Sequence, residues 1–143
     1  MFLGGDPADP VSWRPSAEVN GNPGTSDSTT FNGDPHGDDD GNGLSNLAQY
    51  ALGGLNGSPR VSLTERNGDS FVSFRHQQVI GADDILITPE LSSDLITWVA
   101  AAPEEFQLVD EILVAPGIIE RHYESASPGV LAREFLRLRI GLK

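Results

Sequence analysis

A chain of 143 residues suits one domain of ordinary size, or a small domain with a long appendage, and leaves no room for a large multidomain enzyme. With 21 acidic residues against 9 basic ones the formal charge is -12, which argues against nucleic acid or an anionic membrane held by bulk attraction. Cysteine is absent, so disulfide frameworks, thiolate zinc sites and cysteine nucleophiles are excluded together.

The opening, Met1-Phe2-Leu3-Gly4-Gly5-Asp6-Pro7, lacks the basic segment and apolar run of a signal peptide, and no run of about 18 apolar residues follows, so no membrane span is expected. So abrupt a start suggests a piece of a longer protein whose export signal lies upstream. Of the first 43 residues, 31 are Gly, Pro, Asp, Asn, Ser or Thr, a mixture that makes turns and supplies no hydrophobic face. Residues 1–33 therefore read as a linker or the tail of a preceding domain, pinned at a few points, with Trp13 the favoured pin. Residues 1–57 hold eight acids and a single base, Arg14, so this is the anionic half.

Chemistry enters at residues 34–57. Asp38-Asp39-Asp40-Gly41-Asn42-Gly43-Leu44-Ser45-Asn46-Leu47-Ala48-Gln49 places oxygen side chains at positions 1, 3, 5, 9 and 12 of a twelve-residue loop with glycine at position 6, the spacing of a calcium loop. Short Asp and Asn side chains at alternate positions of a tightly curled backbone converge, and a hard cation takes six to eight such oxygens. In this register Asp38, Asp40, Asn42, the Leu44 carbonyl, Asn46 (directly or through water) and Gln49 ligate Ca2+, while Asp39 points away. Asp34 or Asp27 could fold back to add an oxygen. Gln49 and Asn42 stand where carboxylates are usual, so only two formal charges face the ion and weak affinity is expected.

Leu44, Leu47, Ala48, Ala51 and Leu52 then form the stripe of a short amphipathic helix, stopped by Gly53-Gly54. So short a helix is marginal in water, which makes a metal fixing its start and a core covering its stripe mutually useful.

Beyond Pro59 the period falls to two. Val61 to Arg66 and Phe71 to His76 flank Asn67-Gly68-Asp69, a strong hairpin signal because both turn residues tolerate positive φ. Further strands are predicted at Ile85 to Leu91, Phe106 to Val109, Ile112 to Ala115, Ile118 to Glu124 and Phe135 to Leu142. In the last, Leu136, Leu138, Ile140 and Leu142 alternate with Arg137, Arg139 and Gly141. Between strands, Ser93 or Asp94 can cap one helical turn that directs Leu95 and Trp98 into the core. The predicted fold is mainly β: an antiparallel β-sandwich over 58–143, preceded by the loop-helix and the Gly/Pro/Asp-rich segment.

The loop resembles those of EF-hands, and more closely the loop-helix units of dockerins and thrombospondin type 3 repeats of secreted proteins. Asp34-Pro35-His36-Gly37 cannot form the incoming helix of a paired hand. Asp9-Pro10-Val11-Ser12-Trp13-Arg14-Pro15-Ser16 and Gly21-Asn22-Pro23-Gly24 are similar to the close of a lamin-tail-like domain of large bacterial surface proteins. Ser92 to Trp98 and Phe135-Leu136-Arg137-Leu138-Arg139 resemble the terminal β-domain that follows it there. The resemblance implies an exported C-terminal module and no particular activity.

Catalytic candidates are weaker. His36, His76 and His122 have no zinc-pair spacing and read as surface or satisfied histidines. Glu104-Glu105, Asp110-Glu111 and Glu120 read as solvated carboxylates, and Arg133, Arg137 and Arg139 as one solvated strand face. The expectation is a non-enzymatic, calcium-stabilised module, secreted or at the cell surface, joined to adjacent domains of a longer chain. Two alternatives are a carbohydrate-binding module, with Trp13, Tyr50, Trp98 and Tyr123 stacking on a glycan or surface polymer, and a C-terminal sorting or surface-anchoring domain read through its last strand.

Overall fold

A computed structural model describes residues 3, 8, 14–18, 20–21, 26–128 and 135–143. Trp13 and Arg133, named above as a pin and as part of a basic face, lie outside the described residues. The chain is mainly β, with two antiparallel sheets and, among the described residues, one α-helix, α1 (Asn46–Leu52), followed by a 3-10 turn at Leu55–Gly57. The strands are β1 (Arg60–Arg66), β2 (Asp69–Val79), β3 (Ile85–Ser92), β4 (Val99–Ala100), β5 (Phe106–Ala115), β6 (Ile118–Ser125) and β7 (Phe135–Leu142). Their order is β1-β2-β6-β5 in one sheet and β4-β3-β7 in the other, a loose sandwich.

The hairpin expected at Asn67-Gly68 is present: φ is positive at both residues, 53° and 85°, and Arg66 pairs with Asp69. Pro116-Gly117 joins β5 to β6 in the same economical way, Pro setting the first turn residue and Gly117 taking φ 74°. The two strands predicted within 106–115 are one. Its pairing with β6 slips between Leu108 and Asp110, so Val109 is an extra, bulged residue, and slips again between Leu113 and Ala115.

Alternation along β2 divides the molecule. Phe74 and His76 face the second sheet, where Phe74, Leu91 and Phe106 form one buried cluster with Tyr123, Leu136 and Leu138 around it. The opposite face carries ion pairs laid across strands: Arg60 and Arg75 on Glu120, and Arg66 on Glu124. Ser73 bonds the His122 ring on that face. In the other sheet, Arg137 and Arg139 grip the buried Glu90 from both sides, each at 2.8 Å. A second apolar cluster, Leu47, Ala51, Leu52, Ala82 and Ile85, closes one end of the sandwich with helix α1 as its lid.

The segment Ser92 to Trp98 departs from expectation. Asp94 does accept the amides of Ile96 and Thr97, each at 2.8 Å, as a capping residue would, but Leu95 takes φ 63° and no helical turn follows. Leu95 is exposed, not in the core, and Trp98 is half-buried beneath the Arg137 guanidinium, 4.1 Å from the ring centre.

Candidate metal centre and its tether

The loop from Asp34 to Gln49 is shaped by hydrogen bonds that its own sequence makes obligatory. Gly41 and Gly43 adopt φ 66° and 90°, which a side chain would strain, and this curls the backbone tightly enough for alternate side chains to meet. Asp38 accepts the amides of Asn42 at 3.1 Å and of Gly43 at 2.9 Å. The Gly43 bond is the chief reason its carboxyl is held below the usual aspartate range. Asp40 accepts from the Asn42 amide at 3.2 Å and from Asn42 Nδ2 at 2.9 Å. Asn42 Nδ2 also donates to Gln49 Oε1 at 2.8 Å, reaching from the loop into the first turn of α1.

Asp38, Asp40, Asn42 and Gln49 are thus drawn together, four of the six residues assigned to the site. Asn42 Oδ1 accepts the Leu44 amide, which fixes the turn that carries the Leu44 carbonyl. Asn46 is used differently: Oδ1 accepts the Asp39 amide, Nδ2 donates to the Asp34 carbonyl, and its own amide donates to the Gly37 carbonyl at 2.6 Å. It clamps the incoming strand of the loop to the helix start. Gly37 is required there, since a Cβ at that position would lie 2.8 Å from Asn46 Nδ2 and 3.4 Å from Asp39 Oδ1. Neither Asp27 nor Asp34 adds a side-chain oxygen to the group: Asp34 Oδ1 accepts the His36 amide, and Asp27 is engaged elsewhere.

The helix begins two residues later than the apolar stripe suggests, because Ser45 is its N-cap, accepting the Ala48 amide, and Leu44 belongs to the loop. Gly53 at φ 75° closes the other end. Leu47, Ala51 and Leu52 are buried. Gln49 and Tyr50 then point the two halves of the structure at each other. Gln49 meets the loop, while the Tyr50 hydroxyl donates to Asp84 at 2.8 Å and lies 2.9 Å from the Thr29 hydroxyl.

That second contact is part of a tether that sequence reasoning missed. Arg14 spans Asp83, at 2.6 and 2.7 Å, and Asp27, at 2.6 Å. Asp27 also accepts from Ser16 and Ala17, and Ser28 bonds Asp83. Thr29 donates its amide to Gly81 at 2.7 Å, and Phe31 donates to Asp84 at 2.6 Å before packing on Tyr50. The Arg14 hydrogen bond holds the Asp27 carboxyl far below its ordinary range, against an opposing penalty from burial. Burial would raise Asp83 and Asp84; Arg14 in one case, and the Phe31 amide and Tyr50 hydroxyl in the other, leave both lowered instead. The available signal was Arg14 itself, the one base among eight acids in residues 1–57.

The donor set suits a hard cation. Two carboxylates and the Gln49 amide bring oxygen to the group, Asn42 presents Nδ2 there with Oδ1 turned to the Leu44 amide, and among the described residues no basic side chain forms an ion pair with Asp38 or Asp40. The Asn42 amide hydrogens already place partial positive charge between Asp40 and Gln49 oxygens. Among the described residues, no three His, Cys, Asp or Glu side chains group to hold a metal ion. Of the aromatics named above, Tyr50 is tied to Asp84, Tyr123 stacks between Phe106 and His76, and Trp98 lies under Arg137. Among the described residues no helix is long and apolar enough to cross a membrane. No protein-family model, curated protein or solved structure matches the chain.

Proposed function

We propose that this chain is a calcium-stabilised, non-catalytic module that works outside the cell as a structural or interaction part of a larger exported protein. The observation that carries the reading is the convergence of Asp38, Asp40, Asn42 and Gln49 at the start of the helix that closes the sandwich. A cation there neutralises two carboxylates and holds the first turn of a helix too short to persist alone. The Leu44 carbonyl and Asn46, directly or through water, complete the oxygen shell we assign. Ca2+ is favoured over Mg2+ because the loop offers many flexible oxygens, whereas Mg2+ prefers a compact shell that retains water. With two charges facing the ion, affinity suits a medium of millimolar calcium. At roughly a hundredfold excess over the dissociation constant, binding adds about 2.7 kcal/mol to stability.

Calorimetric titration with CaCl2 and thermal melts with and without chelator test this. Calcium should raise the melting temperature, and Asp38→Asn with Asp40→Asn should abolish the response. Identical melts under all conditions would remove the metal from this account.

A further inference from the structure

The four-stranded sheet ends in two edges of opposite character. On β5, Leu108, Val109, Ile112, Leu113 and Val114 are all exposed, and no strand lies beyond β5 among the described residues. An edge this long and apolar is a template for another strand. Beside it, Phe106, Leu108 and Tyr123 face Pro89, Ala101 and Pro103 across an apolar socket of about 190 Å³. The middle of β5 carries Asp110 and Glu111, the latter paired with Arg121 at 3.1 Å. The far edge, β1, exposes Val61 (60%) and Leu63 (68%) on one face and ends in Arg60 and Arg66, both more than half exposed.

We propose that β5 of one copy of this chain receives β1 of a second copy, continuing the sheet head to tail. Polarity allows it. β1 to β2, β2 to β6 and β6 to β5 are each antiparallel, so β5 runs opposite to β1, and a copy set beyond β5 in the same orientation presents β1 antiparallel to it. Face parity allows it too. Val61 pairs opposite Phe74 and Leu63 opposite Val72, on the face that Leu108 and Tyr123 share, so the two apolar side chains arrive at the socket. Arg60 and Arg66, which pair with Glu120 and Glu124 of their own sheet and remain more than half exposed, arrive on the face of Asp110. Of the symmetric alternatives, β5 against β5 centred on its middle sets Asp110 against its own kind. A contact between two different edges does not close on itself, so the product is an open, twisted array and not a dimer.

Sedimentation velocity on the full chain, up to about 1 mM at the weak end of specific association, tests this. Wild-type protein should show a concentration-dependent ladder. Leu113→Lys, which blocks β5, and Leu63→Lys, which blocks β1, should each be monomeric with an unchanged circular dichroism spectrum. Mixed together they should form a one-to-one heterodimer and nothing larger, since one retains a free β1 and the other a free β5. If Leu113→Lys does not fold, Val109→Lys at the bulge takes its place. A wild-type chain that stays monomeric, a blocked variant that still self-associates, or a mixture that does not pair would each overturn the proposal.

Discussion

Replacing Arg14 by alanine removes the group on which the N-terminal tether turns. Asp27 is 3% exposed at its side chain and Arg14 11%, so the pair is buried, while Asp83 at 20% keeps some contact with water. Breaking a buried pair by deleting one partner costs about 3–5 kcal/mol, because the remaining charge is left unpaired. Asp27 keeps its bonds to Ser16 and Ala17, and Asp83 is partly solvated, so the low end applies, about 3 kcal/mol. For a chain of this length that lowers the melting temperature by about 10 °C. The cost is capped if the tether detaches before the sandwich unfolds, and hydrogen exchange separates the two cases. Detachment exposes the Thr29 and Phe31 amides, now bonded to Gly81 and Asp84, while the β2 and β6 amides keep their protection. A double-mutant cycle with Asp27→Asn should show coupling of about 2 kcal/mol.

Acid titration supplies the sign. Asp27 is depressed in the folded chain, so the unfolded chain binds the proton first as pH falls below about 4. The contribution of the pair is complete above the ordinary aspartate value and is lost progressively below it. Arg14→Ala should flatten that part of the stability curve. A loss under about 1 kcal/mol with the Thr29 and Phe31 amides still protected, or strictly additive effects of the two substitutions, would refute the reasoning.

Three further outcomes follow from single sites. Gly57→Ala puts a Cβ 2.0 Å from the Leu52 carbonyl oxygen, a backbone clash that no rotamer relieves; denaturant melts should show a loss of more than about 2 kcal/mol. His76 donates from Nδ1 to the Gln77 carbonyl, and burial lowers its proton affinity, so its contribution is present above pH about 6.5 and declines as pH falls. His76→Phe should remove part of the slope below pH about 6.5, leaving the share of His122, which burial and Arg75 also lower. Gln49→Glu adds a third carboxylate beside Asp40 and Asn42; it should lower the melting temperature in chelator, yet tighten calcium about tenfold by calorimetry, and equal affinities would count against ligation at that position.

Sequence and structure agree where a local rule fixes the answer. Asn67-Gly68 admits only a tight hairpin, and the alternation of Leu136, Leu138 and Ile140 with Arg137 and Arg139 reflects one face on a core and one paired with Glu90. Agreement fails at the edges. β5 is exposed along almost its whole length, so burial imposes no period on it, and Asp110-Glu111 read as a break when they are acids on an open rim. β4, two residues long, has no period to detect. Trp98 was expected inside because its spacing from Leu95 is helical, but Leu95 at φ 63° takes that spacing away. Arg14 and Asp83 are 69 residues apart, and no local pattern announces such a contact.

Of the candidate site, the sequence marked Asp38, Asp40, Asn42 and Gln49, which the fold brings together, but not how the loop is coupled to the rest of the fold. Helix α1 has seven residues, no acid in its first turn and no base in its last, so neither propensity nor dipole sustains it. It persists through contacts at each side: Ser45 and Asn46 at its start, Gly53 at its end, Leu47, Ala51 and Leu52 against the sandwich, and Tyr50 on Asp84. Gln49 and Tyr50 are neighbours in the chain, one joined to the loop and the other to the acid that holds Phe31. One helical turn therefore links the loop to the tether, so a metal bound at residues 38–49, as proposed above, would clamp the N-terminal arm as well as the helix.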